Sequence, residues 1–279
     1  LRGKIVFPIF NEADGTYSIY SARPDGSEYK LVVEEASQPG LRTDGKTMVY
    51  RSWRADNRGL FEYDLLEERD IWQFNPHFEA GRPSYAPDGK SYLFHSREAG
   101  EESAIYKTNE LEYEVLRREG NPVQGEAPAW TPAGDSFIYK TCIGTQCGLY
   151  VSNLDGSSPR QLTEDLSDTN PAVSADGETI AFMSEREGNW DVYTVKIDGS
   201  NLLQLTTNTA EDGLPTWSPD GQTIAFVSDR EDEWSMWAMN ADGSNQRRLF
   251  KLDGSIDGTV QVDVANARGW LEESITWGP

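Results

Sequence analysis

The sequence has two histidines and two cysteines in 279 residues, 25 Lys and Arg against 47 Asp and Glu, and no apolar run near the ~18 residues of a membrane-spanning helix. Each shortage excludes something. Cys142 and Cys147, with only His77 and His95 elsewhere, make no zinc-ligand spacing. A formal charge of −22 opposes a phosphate backbone, so nucleic acid is not expected as a partner. No transmembrane segment is expected, and the N-terminus lacks the basic-then-apolar order of a signal peptide. The chain opens on Leu1, which leaves room for a signal, anchor or further domain upstream. No Gly-x-Ser-x-Gly nucleophile elbow occurs.

What the chain has is repetition. Leu214 to Leu249 reads as a strand, a turn at Pro219-Asp220-Gly221, an apolar strand over Thr223 to Ser228, and a charged connection. A third strand at Trp234 to Met239, a turn at Asp242-Gly243-Ser244 and a fourth strand at Gln246 to Phe250 complete an antiparallel meander. The first turn recurs at Gly45, Gly89, Gly134, Gly177 and Gly221, which by subtraction gives intervals of 44, 45, 43 and 44 residues. Pro39, Pro83, Pro128, Pro171 and Pro215 precede these glycines at one constant offset. A four-strand unit at this period builds a β-propeller blade rather than a helical solenoid.

Gly3 to Phe7 matches the second strand of the unit, and Ser274 to Pro279 matches its first strand, with Ile275 in place of the proline. The expected fold is therefore all-β, a six-bladed β-propeller in one domain, its ring closed by the C-terminal strand joining the N-terminal blade. Blade one takes residues 1–37 and 272–279; blades two to five take 38–80, 81–125, 126–168 and 169–212. Blade six, 213–271, carries an insertion at about 251–271, since Trp217 and Trp277 stand 60 residues apart. The insertion is a candidate lid over the channel or a peripheral decoration. Ile180 to Met183 and Ile224 to Val227 are continuous apolar runs, expected to be buried on both faces between blades.

Pro215 to Gly221, Ile224 to Arg230, an aromatic third strand, and Asp242-Gly243-Ser244 before Leu249 together resemble the WD40-like blades of TolB-type propellers. The likeness covers essentially the whole chain, most strongly in blades five and six and most weakly in two and three. The Gly-His and Trp-Asp pairs of true WD repeats are missing. The resemblance implies a six-bladed propeller that serves as a protein-binding platform of the bacterial envelope or as an accessory domain.

In a propeller the links between blades and the second-to-third-strand loops share one face. There the register gathers Glu126, Asp168, Asp212 and Glu272, two or three residues before an aligned Pro or Ile. These acids form a candidate mouth for a protein or peptide, cationic if it answers them, and a candidate Ca²⁺ cradle of hard oxygen ligands. Capping turns or pairing with arginines would be their alternative use. His77, between blades two and three, joins this mouth, whereas His95 falls within a strand and is expected to be packed. Tyr17, Trp190 and Trp234 align just before the third strand, as an aromatic rim or as packing on a neighbouring blade.

Arg54, Arg186 and Arg230 follow Ser52, Ser184 and Ser228 by two residues and are expected to bridge blades through carboxylates. Cys142 and Cys147 flank a hairpin tip in blade four and can meet as a disulfide, which favours an extracytoplasmic setting, periplasmic or extracellular. The leading expectation is a monomeric, non-catalytic scaffold that binds a protein or peptide on the channel face, with Ca²⁺ as a possible cofactor. The alternative is a glycan-active enzyme, a polysaccharide lyase or glycosidase, using acids such as Glu126 and Asp168.

Overall fold

The computed structural model describes residues 1–74, 79–98, 102–109, 112–261 and 267–279. In it the repeat becomes six four-stranded antiparallel sheets, each one blade. Blade six shows the unit in full: Asp212–Trp217, Thr223–Ser228, Ser235–Asn240 and Arg247–Lys251, paired in sequence order. Blade one borrows its first strand, Thr276–Gly278, from the far end of the chain, with Ile5 opposite Trp277 and Val6 opposite Thr276. The expected closure is what forms. Gly3 permits it: at φ +91 its backbone passes so close to Gly278 that a Cβ there would sit 2.1 Å from the Gly278 carbonyl oxygen.

Thr223–Ser228 is buried at every position, and alternate side chains leave on opposite faces. Ile224 and Phe226 pack with Ala181 and Val192 of blade five, while Ala225 and Val227 pack with Ile5 and Phe7 of blade one. The same division repeats round the ring, so that six apolar clusters fill the six spaces between neighbouring blades, the one between blades six and one also taking in Met183 of blade five. A strand sandwiched this way needs apolar residues on both faces, which is why the runs are continuous rather than alternating.

The first strands carry a second repeated device. Gln38, Arg82, Ala127, Asn170 and Leu214, each the residue before the aligned proline, have φ between +50 and +56. Pairing with the second strand shifts register at the same place in all five blades, for example between Gly81 and Ser84 and between Gly213 and Thr216. A left-handed non-glycine residue is uncommon, and five at equivalent positions mark a built β-bulge that re-aims a side chain. Blade one has Ile275 here and no such residue.

After Lys251 the insertion returns across the link face. Phe10 N bonds Ser255 O at 2.8 Å, and the Tyr17 hydroxyl donates to the carbonyls of Ile256 and Gly258 at 3.0 and 2.8 Å. Thr259–Gln261 pairs with Ala267–Gly269, and a 3₁₀ turn at Trp270–Glu272 delivers the chain to its last strand.

Trp277 is 7% exposed in the blade six to blade one cluster and donates Nε1 to Arg2 O at 2.9 Å. Trp277→Ala is expected to cost about 3–5 kcal/mol in urea unfolding, because it opens a cavity at the closing seam; a loss comparable to a surface substitution would contradict this account of closure.

Candidate functional site

The first strands line a central cavity of about 450 Å³. Its wall is made by Pro39, Pro83, Pro128 and Pro171 with Tyr85 and Trp130, and it reaches Thr43, Pro87, Pro132 and Ala175 in the turns that follow those strands. The chain direction fixes the open end: it lies on the face of the first-to-second-strand turns, opposite the links. That face carries fixed negative charge. Asp44, Asp176 and Asp220 in the first turns, and Asp25, Asp155, Asp198 and Asp242 in the later ones, accept backbone amides two residues on. Hydrogen bonds from neighbouring Ser, Arg or backbone donors hold all seven carboxyls below the usual range.

The other end is shut. Glu273, fully buried, occupies the axis, and the bulge residues of three blades converge on it. Gln38 N donates to Glu273 Oε2 at 3.0 Å, Arg82 Nη1 to Glu273 O at 2.7 Å, and Asn170 Nδ2 to the same carbonyl at 3.2 Å. Gln38 in turn accepts the Arg82 amide at 2.8 Å. Trp270 seals the blade six side: a Cβ on Gly213 would lie 2.9 Å from both its ring and Met183. Burial pushes the Glu273 carboxyl up to about 8, against the pull of the Gln38 amide, the Ser37 hydroxyl and the Arg82 guanidinium. Burial also brings Arg82 down to about 10, with Glu273 opposing. Both groups move toward neutrality, as desolvation requires.

The expected mouth on the link face is assembled differently. Asp168 and Asp212 are fully buried and committed to arginines: Arg186 Nη2 bonds Asp168, and Arg230 Nη2 bonds both oxygens of Asp212 at 2.9 Å. These pairs lie within blades five and six, not between blades as expected. The reason is reach. Arg230 also bonds Ser228 Oγ at 2.9 Å and Gln246 Oε1 at 2.7 Å and lies over the Trp237 ring, so one fork ties three strands of its own sheet to the residue that precedes the fourth. Blade two has Ala36 where blade six has Asp212, and Arg54 turns outward to Asp70 at 2.8 Å.

Glu126 begins the first strand of blade four and Glu272 sits in the 3₁₀ turn. Among the described residues no three His, Cys, Asp or Glu side chains gather as a group that could hold a metal, and the four acids are not brought together as one. Nor do Tyr17, Trp190 and Trp234 form an open rim. Tyr17 is fully buried under the insertion, and Trp190 and Trp234 flank Trp270 at ring distances of 6.3 and 5.4 Å. His77 lies outside the described residues. His95 is packed, its Nδ1 accepting the Ala127 amide at 3.2 Å. Cys142 and Cys147 stand opposite each other in the blade four hairpin and are joined as a disulfide.

The sequence reading missed Glu273 and Arg82. The signal was the residue before each aligned proline: Gln38, Arg82 and Asn170 are polar where strand alternation alone would not place them on the axis. Gly40 to Thr47 also spells the residue order of a phosphate-binding loop, but Thr47 opens a strand rather than a helix, so there is no helix N-terminus to receive phosphate.

Arg230→Ala strands a buried carboxylate and should destabilise the fold by about 3–5 kcal/mol in urea unfolding, whereas the pair Arg230→Met with Asp212→Asn should lose distinctly less. Equal losses would mean the ion pair is not the source. Glu273 has its folded pKa raised above the 4.5 of a free glutamate, so its contribution is intact below that pH and is lost as pH rises through about 8. Stability of the parent chain should therefore fall more steeply than that of Glu273→Gln between about pH 5 and pH 9, the two converging in acid; parallel profiles would refute the buried-acid assignment.

Residues 169–266 match the family model described as the TolB beta propeller domain. An uncharacterised protein of Agrobacterium fabrum is 26% identical over 196 residues, covering 55% of this chain and 66% of that protein. The Tol-Pal system protein TolB of Francisella tularensis is 23% identical over 251 residues, 71% of this chain and 57% of its own length. The chain thus spans less than two thirds of these relatives. The crystal structure of TolB from Acinetobacter baumannii superposes with a TM-score of 0.78 at 23% identity, covering 99% of this chain and 67% of that one. The chain is thus a closed six-bladed β-propeller whose residues 169–266 match the TolB beta propeller domain and whose whole fold is similar to that of TolB.

Proposed function

We propose that this propeller is a non-catalytic scaffold that binds a protein or peptide partner at the open mouth of its channel, on the turn face. The observation that carries the reading is the one-ended cavity, apolar and aromatic along its wall and rimmed by turn aspartates. Clefts of this size with a few polar groups are ordinary binding sites, and a fixed anionic rim steers a cationic partner. Likeness to the Tol-Pal system protein TolB supports a protein partner, and the Cys142–Cys147 disulfide supports an oxidising, extracytoplasmic compartment. The glycan-enzyme alternative loses one of its acids, since Asp168 is buried against Arg186.

A photo-crosslinking side chain placed at the exposed mouth positions Thr43 or Ala175 should capture a partner in an envelope fraction, with the yield falling as salt is raised. The same group at Thr145, on the blade four hairpin of the link face, should capture none. Adducts formed from Thr145 and not from the mouth would move the binding surface to the other face and sink the proposal.

A further inference from the structure

We propose that the closed end of the channel is a carboxylate site, at which Arg82 receives the C-terminal carboxylate of a polypeptide whose last residues enter from the turn face. The inference rests on the mouth-binding reading above and names the chemistry of its partner's tip.

Arg82 is 8% exposed and forms part of the cavity lining. A guanidinium carries five N–H donors in a planar fork. Among the described residues this one meets a single acceptor, the Glu273 carbonyl oxygen, through Nη1 at 2.7 Å. Its other nitrogens keep contact with the space of the cavity rather than being sealed off without a partner, and the group that satisfies a fork best is a carboxylate bound through two parallel hydrogen bonds. The carboxyls nearest in charge are Glu273, Glu272 and Glu126, and none of them accepts a hydrogen bond from the fork. Glu273 exerts the largest pull of the three, and burial favours its neutral form.

The backbone supports the same reading. Arg82 has φ +54, a left-handed conformation that costs about 1–3 kcal/mol for a non-glycine residue and that places the side chain on the axis. Its amide is tied to Gln38 Oε1 and its neighbour is Pro83, so the fork is held in place before any ligand arrives. The prolines of the wall present no amide N–H, which leaves Arg82 as the charged donor at the cavity's depth.

The rim selects what brings the carboxylate in. A small free anion would have to pass Asp44, Asp88 and Asp176, which follow or adjoin the lining residues Thr43, Pro87 and Ala175. A polypeptide tail with basic residues a few positions before its terminus meets both demands, its cations at the rim and its carboxylate at Arg82. Capture of a chain terminus in this manner is an established mode of peptide recognition.

The test uses the full chain immobilised and a pool of hexapeptides with two N-terminal lysines and four randomised positions, made once as free acids and once as C-terminal amides. The free acids should be retained about tenfold or more over the amides. Arg82→Gln should erase that preference, and Ala175→Trp, at the mouth, should abolish retention of both pools. Equal retention of acids and amides, removed by Ala175→Trp, would overturn the carboxylate site while leaving mouth binding intact. Retention of neither pool would overturn both readings, and a preference that survives Arg82→Gln would overturn the assignment to Arg82. The acid-to-amide comparison on the parent chain stands alone should Arg82→Gln fail to fold.

Discussion

Each second strand is buried on both faces, and the rest of the architecture follows from that constraint. A blade built this way cannot be the last of a row, because its outward face would leave Phe, Ile and Val side chains in water at about 25 cal/mol per Å². Only a ring gives every blade two neighbours. The chain meets the condition by splitting one blade between its ends, and Gly3, which lets two backbones pass in near contact, is part of how the seam shuts.

The ring leaves a hole, and the first strands decide what it contains. Five of them bulge at the residue before proline, so Gln38, Arg82 and Asn170 reach the axis instead of the space between blades. Blade one has no proline there and supplies Glu273 instead. One end of the hole therefore becomes a packed polar plug tied to blades two, three and five, with Trp270 of the insertion beside it. The other end has nothing to fill it but turns, and stays open.

The repeat made the blades, their number and the closing strand legible in the sequence, because turn glycines and prolines at fixed offsets report backbone geometry directly. The disulfide was legible for a related reason: Cys142 and Cys147 flank a hairpin tip whose pairing is local. The site was less so. Asp168 and Asp212 were placed on the correct face, but sequence offset does not show that each is consumed by an arginine of its own blade. Trp190 and Trp234 aligned as expected, yet their partner Trp270 comes from an insertion with no register to the repeat. The open face could not be chosen for the same cause, since an unregistered segment closes the opposite one.

The charge of the molecule now has a structural meaning beyond solubility. The aspartates that crowd the turn face are there because each caps a turn, accepting the amide two residues on, and blades two, five and six use such a turn twice. Blade building thus places a ring of carboxylates, held ionised by their own turns, around the one end of the channel that packing leaves open. At the other end desolvation acts in the opposite sense, raising Glu273 and lowering Arg82, so that both move toward neutrality. The negative field of the mouth is therefore a consequence of turn chemistry, concentrated by packing at the end that stays open, and it orients whatever enters before any contact with the wall is made.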